Sequence, residues 1–300
     1  MNVTSSFFIE QKALFGSYPT QDIVNDFINK GVTYFIDLTN NHEKEKLLKY
    51  NVSKECKYIN YQIRDRSIPE NLYEFSKFII KISDIICHLK NNEKIYIHCR
   101  GGHGRAGLVV CCLLCYIYKY NSTEGLHLTN QYHNNRKVMN DKWRQIGSPQ
   151  TENQKKFIVR MFKPIFLNNI YNKNTYYFLN NHSKHCVMYK NHSYDNINFC
   201  YYSNKFPSLK KKLLSCTTYY QFKNLITSSN EINNTTFNKT ELIMILLKDK
   251  FTRHKCIHNI LVKTFLRPIH YIHDEIQIGN IWENIRHDYL MELYVSCNNK

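Results

Sequence analysis

Four of the chain's nine glycines fall within seven residues, inside the stretch IYIHCRGGHGRAGLVV that runs from Ile95 to Val110. An apolar, β-prone segment precedes them and ends at His98 and Cys99, and a segment that is apolar on nearly every side follows Arg105. The pattern predicts a buried strand, a glycine-rich loop and a helix packed against a sheet. Such a loop can adopt positive φ and wrap closely around a ligand, because glycine carries no Cβ atom.

Strand-like and helix-like segments alternate through the first half of the chain. The strand-like segments VTYFIDLT, KYINYQI and KIYIHC alternate with helical ones such as residues 70–90, where apolar side chains recur every three or four positions. We expect an α/β domain over residues 1–167, with a mostly parallel central sheet flanked by helices. The composition changes near residues 168–177, and a second, smaller α+β domain is predicted over residues 176–300.

Composition restricts the classes of protein that fit. The net charge of +17 is spread evenly, with +9 in residues 1–165 and +8 in the rest, and no basic tail. This favours solvated surface lysines, so nucleic acid is an open but not a favoured partner. No apolar run approaches the roughly 18 residues that cross a bilayer, and no signal-peptide pattern opens the chain. Eleven scattered cysteines favour free thiols, so we expect a soluble intracellular protein without a membrane span.

The glycine-rich loop predicts a phosphate site with a nucleophile. Cys99 would lie among backbone N–H groups at a helix N-terminus, which binds a tetrahedral dianion and stabilises a thiolate relative to a thiol. Arg105 adds a planar fork that can hold two phosphate oxygens. The candidate phosphate-binding residues are Arg100, Gly101, Gly102, His103, Gly104 and Arg105. This chemistry requires no metal and no other cofactor.

The sequence HCRGGHGRAG resembles the signature loop of the cysteine-dependent protein tyrosine and dual-specificity phosphatases. The segments FIDLT, IRDRSIPEN and SPQTENQ are similar to a compact branch of that superfamily, in the same order, and the resemblance covers residues 10–165. It implies that Cys99 is the nucleophile and forms a phosphocysteine, that Arg105 binds the phosphate and that His98 tunes the thiolate. It also implies a phosphorylated protein substrate, with phosphotyrosine first and phosphoserine or phosphothreonine as further candidates.

The resemblance also implies an acid and a water-orienting residue. The leaving oxygen of a phosphate monoester must be protonated, and in this superfamily an aspartate on a loop before the cysteine does this, which corresponds to Asp65. Asp37 is the rival, although its place after a strand favours a turn-capping role. Gln154 aligns with a position that orients the hydrolytic water in relatives.

Two departures from the family pattern leave alternatives open. Ala106 stands where relatives usually have Ser or Thr, whose hydroxyl supports the sulfur as it leaves phosphate. Breakdown of phosphocysteine is then expected to limit turnover unless another donor serves the sulfur. Arg100 and His103 are basic, and so are the matching loop positions of phosphoinositide-directed members. A phosphoinositide phosphatase, an RNA 5′-phosphatase and a non-catalytic phosphate-binding module therefore stand beside the protein phosphatase as alternatives.

The second half resembles, through looser motifs, the YbiA-type domain that is associated with NAD and ADP-ribose and cleaves N-glycosidic bonds. The matching segments include FLNNHSKHCVMYKNHSY and CTTYYQFKNL. Thr217 and Thr218 stand where the relatives have a Glu-His pair, and Gln277 and the residue after it stand where a Trp-Gly pair is expected. Glycosidic cleavage needs a carboxylate, so the resemblance implies a domain that binds a nucleotide-like ligand or a partner without turnover. His254 and His258 have a zinc-compatible spacing but no third ligand, and we expect no metal there.

Overall fold

A computed structural model describes residues 4–167, 176–216, 219–228, 238–271 and 278–298. The chain divides into two compact units. The first comprises Met1–Lys163, Phe265–Arg267 and Leu293–Lys300, and the second comprises Pro164–Thr264 and Pro268–Glu292. The composition change that suggested a boundary falls largely on residues 168–175, which lie outside the described residues. The domain limits 1–167 and 176–300 therefore stay a prediction.

A five-stranded sheet forms the centre of the first unit. Its strands are β1 Ser5–Ile9, β2 Ala13–Gly16, β3 Val32–Asp37, β4 Lys57–Asn60 and β5 Lys94–His98. The strand order is β1-β2-β5-β3-β4, with β1 antiparallel to β2 and every other neighbouring pair parallel. The mixed, mostly parallel sheet confirms the predicted α/β class. Because β5 is the central strand, the loop that follows it emerges in the middle of the carboxyl edge of the sheet.

Helices cover this sheet. They are α1 Gln21–Asn29, α2 Asn41–Lys44, α3 Leu72–Cys87, α4 Arg105–Tyr118, α5 Ser122–Asn134, α6 Asp141–Ile146 and α7 Glu152–Met161. The first eleven residues of α4 are all buried, which is why its sequence is apolar on nearly every side. Thr20 and Thr151 are the N-caps of α1 and α7, and the Thr151 side chain accepts a hydrogen bond from the third helical residue.

The second unit combines small sheets with helices, as predicted for an α+β domain. Its strands and helices are β6 Ile165–Phe166, β7 Val187–Tyr189, β8 His192–Tyr194, β9 Ile269–His270, α8 Ile197–Lys205, α9 Lys210–Leu214, α10 Tyr219–Thr227, α11 Lys239–Arg253, α12 Lys255–Val262 and α13 Ile278–Asn298. The strand pair β6–β9 is parallel and β7–β8 is antiparallel. Trp282 is fully buried in this unit, and its indole N–H donates to the carbonyl of Leu179.

Residues 197–205 of the second unit, which are rich in tyrosine and asparagine, form α8. The side chain of Asn196 caps this helix by accepting a hydrogen bond from the backbone N–H of Phe199, and Ile197, Cys200 and Tyr201 bury one helical face. Thr217, Thr218 and Gln277 of the YbiA-like motifs lie outside the described residues. No helix in the described ranges is long and apolar enough to cross a membrane.

Candidate active site

The phosphate-binding loop connects β5 to α4. Cys99 directly follows β5 and is only 3% exposed, and its sulfur accepts a hydrogen bond from the backbone N–H of Gly102 at 3.3 Å. Gly102 has a φ of +76°, and a Cβ atom there would lie 2.4 Å from the backbone carbonyl carbon of Gly16. Only glycine fits both the left-handed backbone and this close approach. The local fold therefore depends on this glycine to direct an N–H group at the sulfur.

The other predicted loop residues differ in exposure. Arg100 and Gly101 are exposed, and the backbone carbonyl of Arg100 accepts a hydrogen bond from the N–H of Tyr18 at 3.1 Å. Gly104 is buried as the N-cap of α4, where a Cβ atom would lie 3.1 Å from Oε1 of Gln154. The loop is thus open towards solvent at its start and closely packed where it enters the helix.

Arg105 is almost completely buried and is held by two carboxylates. Its Nη2 donates to Oε1 of Glu43 at 2.8 Å, and its Nη1 donates to the other oxygen of Glu43 and to the carbonyl of Ile63. Oδ1 of Asp65 lies 2.9 Å from Nη2. The Nε atom is buried and has no hydrogen-bond partner among the described residues. The guanidinium is therefore fixed in orientation with one donor left for a ligand.

Glu43 is a site residue that the sequence analysis missed. Its backbone N–H donates to the side chain of Asn40 at 2.9 Å, and its carboxylate accepts from the Asn40 N–H at 3.3 Å, which makes a capping box for α2. Burial alone would raise the pKa of Glu43, but the hydrogen bonds and charge of Arg105 outweigh it and hold the pKa below its usual value. The same carboxylate thus caps a helix and fixes the arginine.

Asp65 and its rival Asp37 occupy different environments. The Asp65 side chain is 53% exposed and contacts Arg105 from the loop that follows β4. Asp37 is fully buried at the end of β3, where it accepts hydrogen bonds from Thr39 and from the hydroxyl of Tyr58. A carboxylate committed to these donors cannot reach a substrate oxygen. The geometry therefore favours Asp65 as the acid.

Gln154 connects two loops. It is fully buried at the start of α7, where its Oε1 accepts from the N–H of Thr151 at 3.1 Å and its Nε2 donates to the carbonyl of Ser67 at 3.0 Å. Ser67 lies two residues after Asp65. The amide thus links α7 to the acid loop, and the water-orienting role that the resemblance implies stays a prediction.

His98 is a neutral neighbour of the cysteine. Its ring is fully buried, with Nε2 2.6 Å from the hydroxyl of Tyr50 and Nδ1 3.8 Å from Oδ1 of Asp37. Burial lowers the pKa of His98 to about 4, although the charge of Asp37 opposes the shift. Any influence on the thiolate therefore comes from a neutral ring at neutral pH.

His103 is also neutral rather than cationic. Its ring stacks on Trp143 with centroids 4.7 Å apart, and its Nδ1 lies 2.8 Å from Nε2 of His133. Burial, reinforced by the charge of Arg136, lowers the pKa of His103 to about 4. At neutral pH the basic pair that the sequence suggested is therefore reduced to Arg100.

His254 and His258, the pair with zinc-compatible spacing in the second unit, bond different backbone carbonyls. His254 precedes α12, and its Nε2 lies 2.8 Å from the carbonyl of Cys186, whereas Nε2 of His258 lies 2.7 Å from the carbonyl of Phe251. Within the described ranges no group of three His, Cys, Asp or Glu side chains is arranged to hold a metal ion. The cysteines that the structure describes are all unpaired.

Comparison with known proteins identifies the first unit. Residues 14–152 match the sequence profile of the dual specificity phosphatase catalytic domain. The chain is 36% identical over 164 residues to protein 067L of Invertebrate iridescent virus 3, which is named as a tyrosine phosphatase, and the match covers 54% of this chain and 67% of that relative. The chain belongs to the dual-specificity phosphatase family. Its first unit is a protein tyrosine/dual-specificity phosphatase domain with the cysteine chemistry of that family.

Two further proteins are similar to this phosphatase. Protein 197R of Invertebrate iridescent virus 6, also named as a tyrosine phosphatase, is 39% identical over 160 residues, and the match covers 53% of this chain. The chain spans about half the length of that relative, at 54%. The crystal structure of Tk-PTP in the active form is 18% identical, with a TM-score of 0.41, and the match covers 52% of this chain and 94% of that chain.

Proposed function

We propose that the first unit hydrolyses phosphotyrosine in protein substrates through a phosphocysteine on Cys99, with phosphoserine and phosphothreonine as further targets. The observation that carries this proposal is the convergence of a cysteine sulfur, an arginine and an aspartate. Asp65 lies 2.9 Å from Arg105, which begins the helix after the cysteine loop. The loop N–H groups and the free Nε of the arginine suit a phosphate dianion.

In the first step the Cys99 thiolate attacks phosphorus, and the bond from phosphorus to the substrate oxygen breaks. Asp65 gives its proton to that oxygen, so that tyrosine leaves as a neutral phenol. Arg105 and the loop N–H groups hold the equatorial oxygens, whose charge the transition state redistributes. In the second step a water attacks the phosphocysteine, Asp65 takes its proton, and the sulfur leaves as a thiolate.

The alternative substrates fit the site less well. A phosphoinositide phosphatase was suggested by two basic loop residues, but His103 is neutral and engaged with its neighbours. An RNA 5′-phosphatase expels a phosphate, which needs less protonation, whereas an acid in contact with Arg105 suits poor leaving groups. A non-catalytic binding module would not need Cys99 and Asp65 beside the arginine. Phosphorylated protein is therefore the substrate class we favour.

Two variants test this function. Cys99→Ser should abolish turnover, because a serine hydroxyl is not ionised by the loop, and chelators should leave the wild-type rate unchanged. Asp65→Asn should lower kcat on a phosphotyrosine peptide by about 10² to 10⁴ and change it far less on an activated aryl phosphate. Activity that survives Cys99→Ser, or equal losses on both substrates, would contradict the assigned roles. The rates on inositol lipid head groups and on triphosphate-ended RNA are measured beside those on the peptide, which tests the two alternative substrate classes.

For the second unit we propose a YbiA-like domain that binds a nucleotide-like ligand without cleaving it. The support is the order of its sequence motifs together with the loss of the Glu-His pair at Thr217 and Thr218. The Cys99→Ser protein should release neither nicotinamide nor ribose from NAD or ADP-ribose, while calorimetry measures binding. We also propose that the protein acts inside a cell, since free cysteines suit a reducing compartment.

A further inference from the structure

Arg136 is a buried cation that the proposed mechanism does not use. It lies beyond the end of α5 and is 3% exposed, with its guanidinium 4.6 Å from the ring centroid of Phe15. Its Nη2 donates to the carbonyl of Gly102 at 2.9 Å and to the carbonyl of Phe15 at 3.4 Å. No carboxylate pairs with it in the part of the chain that the structure describes. A buried charge without a counter-ion is costly, so its position calls for an explanation.

Gly102 joins this cation to the nucleophile. Its carbonyl accepts the hydrogen bond from Arg136, and its N–H donates to the sulfur of Cys99 at 3.3 Å. Burial lowers the pKa of Arg136 to about 10, so the guanidinium still carries its positive charge at neutral pH. The guanidinium and the sulfur therefore each contact a backbone group of the same residue.

The residue that follows Arg105 offers the sulfur no hydroxyl. Ala106 is fully buried after the signature arginine and brings only a methyl group. The nearby hydroxyl of Ser148 donates to the carbonyl of His103 at 2.6 Å, so it is already used. Among the described residues the one hydrogen bond to the sulfur comes from Gly102. Stabilisation of the thiolate thus depends on this N–H and on whatever orients and polarises it.

We propose that Arg136 is a positioning residue that stabilises the Cys99 thiolate through Gly102, in place of the hydroxyl missing at Ala106. By binding the carbonyl, the guanidinium holds Gly102 in its left-handed conformation with the N–H directed at sulfur. Its positive charge also adds to the electrostatic field around Gly102 in a poorly solvated interior. When the sulfur–phosphorus bond breaks, the electron pair returns to a sulfur already facing these groups. The inference rests on the proposed role of Cys99 as nucleophile.

The test is a double-mutant cycle with Arg136→Met, Arg136→Lys and Ala106→Ser in the full chain. The readouts are kcat with an activated aryl phosphate and the pH midpoint of iodoacetamide alkylation on the Cys99 peptide, quantified by mass spectrometry. Arg136→Met should move the midpoint to higher pH and lower kcat about 10- to 100-fold, the equivalent of one charge-assisted hydrogen bond. Arg136→Lys, which keeps the cation, should move the midpoint less. Ala106→Ser should restore much of kcat to Arg136→Met and change the wild-type chain by less than about fivefold.

A purely structural role for Arg136 predicts a different result. In Arg136→Met the burst amplitude, which counts active sites, would then fall. The alkylation midpoint of the sites that remain would stay at the wild-type pH. That result overturns the proposal. Equal gains from Ala106→Ser in both backgrounds also overturn it. If Arg136→Met does not fold, Ala106→Ser in the wild-type chain decides alone: a gain above about fivefold refutes the proposal and a smaller one supports it. Failure of the proposed function appears separately, as turnover that survives Cys99→Ser.

Discussion

Replacing Gln154 with Glu separates a role in placing the acid from a role in orienting water. In the wild-type chain Nε2 of Gln154 donates to the carbonyl oxygen of Ser67 at 3.0 Å. The variant keeps an acceptor for the N–H of Thr151, but it loses this donor and places a carboxylate oxygen next to the carbonyl oxygen of Ser67. A buried acceptor left without its donor costs about 1 to 3 kcal/mol. If that cost falls on the productive position of Asp65, kcat on poor leaving groups drops about 5- to 150-fold, at 1.36 kcal/mol per decade.

The assay compares a phosphotyrosine peptide with an activated aryl phosphate, and rapid mixing separates formation of phosphocysteine from its breakdown. We expect Gln154→Glu to slow the first step on the peptide and to leave it nearly unchanged on the activated ester, which needs little protonation. Thr151→Val is the matched control, because it removes the helix cap and leaves the Gln154 to Ser67 bond intact. A loss confined to phosphocysteine breakdown, seen as a larger burst, would refute this reasoning. It would indicate instead that Gln154 orients the hydrolytic water.

Two further predictions concern backbone strain and a buried charge. Gly102→Ala should lower kcat/KM more than 100-fold, because its Cβ would lie 2.4 Å from backbone and its φ is +76°, whereas Gly101→Ala, facing only the His103 ring at 3.0 Å, should cost far less. Burial lowers the pKa of Lys250 in the second unit to about 7, so the unfolded chain binds more protons between pH 7 and the ordinary lysine range of about 10. Protection of this unit against hydrogen exchange, corrected for the intrinsic rate, should therefore rise with pH across that window and lose this dependence in Lys250→Met.

The central part of the site could be predicted from the sequence because its determinants are local. A β-prone run, four glycines and an apolar helix occupy adjacent positions, and together they fix where Cys99 and Arg105 lie. Glu43 could not be found in this way. Its contact with Arg105 spans 62 positions, and the local pattern with Asn40 indicates only the start of a helix. The contact between Glu43 and Arg105 depends on which strands are neighbours in the sheet, and strand order produces no periodic pattern in the sequence.

Burial was the other property that sequence could not supply. His103 looked like a cation beside Arg100, yet it is half-buried and stacks on Trp143, forty positions later. Arg136 belongs to a polar stretch of sequence, yet it is nearly inaccessible in the structure. A single sequence gives the charge that a side chain carries in water, whereas the functional charge depends on the dielectric and partners that folding provides.

The charges around the loop also explain why the acid and the substrate can share one arginine. Asp65 contacts Nη2 of Arg105, an atom that a phosphate oxygen would approach, while Glu43 holds the opposite edge and Nε has no partner among the described residues. An arriving dianion therefore competes with the Asp65 carboxyl for the guanidinium. This competition displaces Asp65 from the arginine, and in the proposed mechanism the displaced carboxyl serves the leaving oxygen. Glu43 keeps Arg105 in place while Asp65, the other carboxylate that contacts the guanidinium, exchanges this contact for the leaving oxygen.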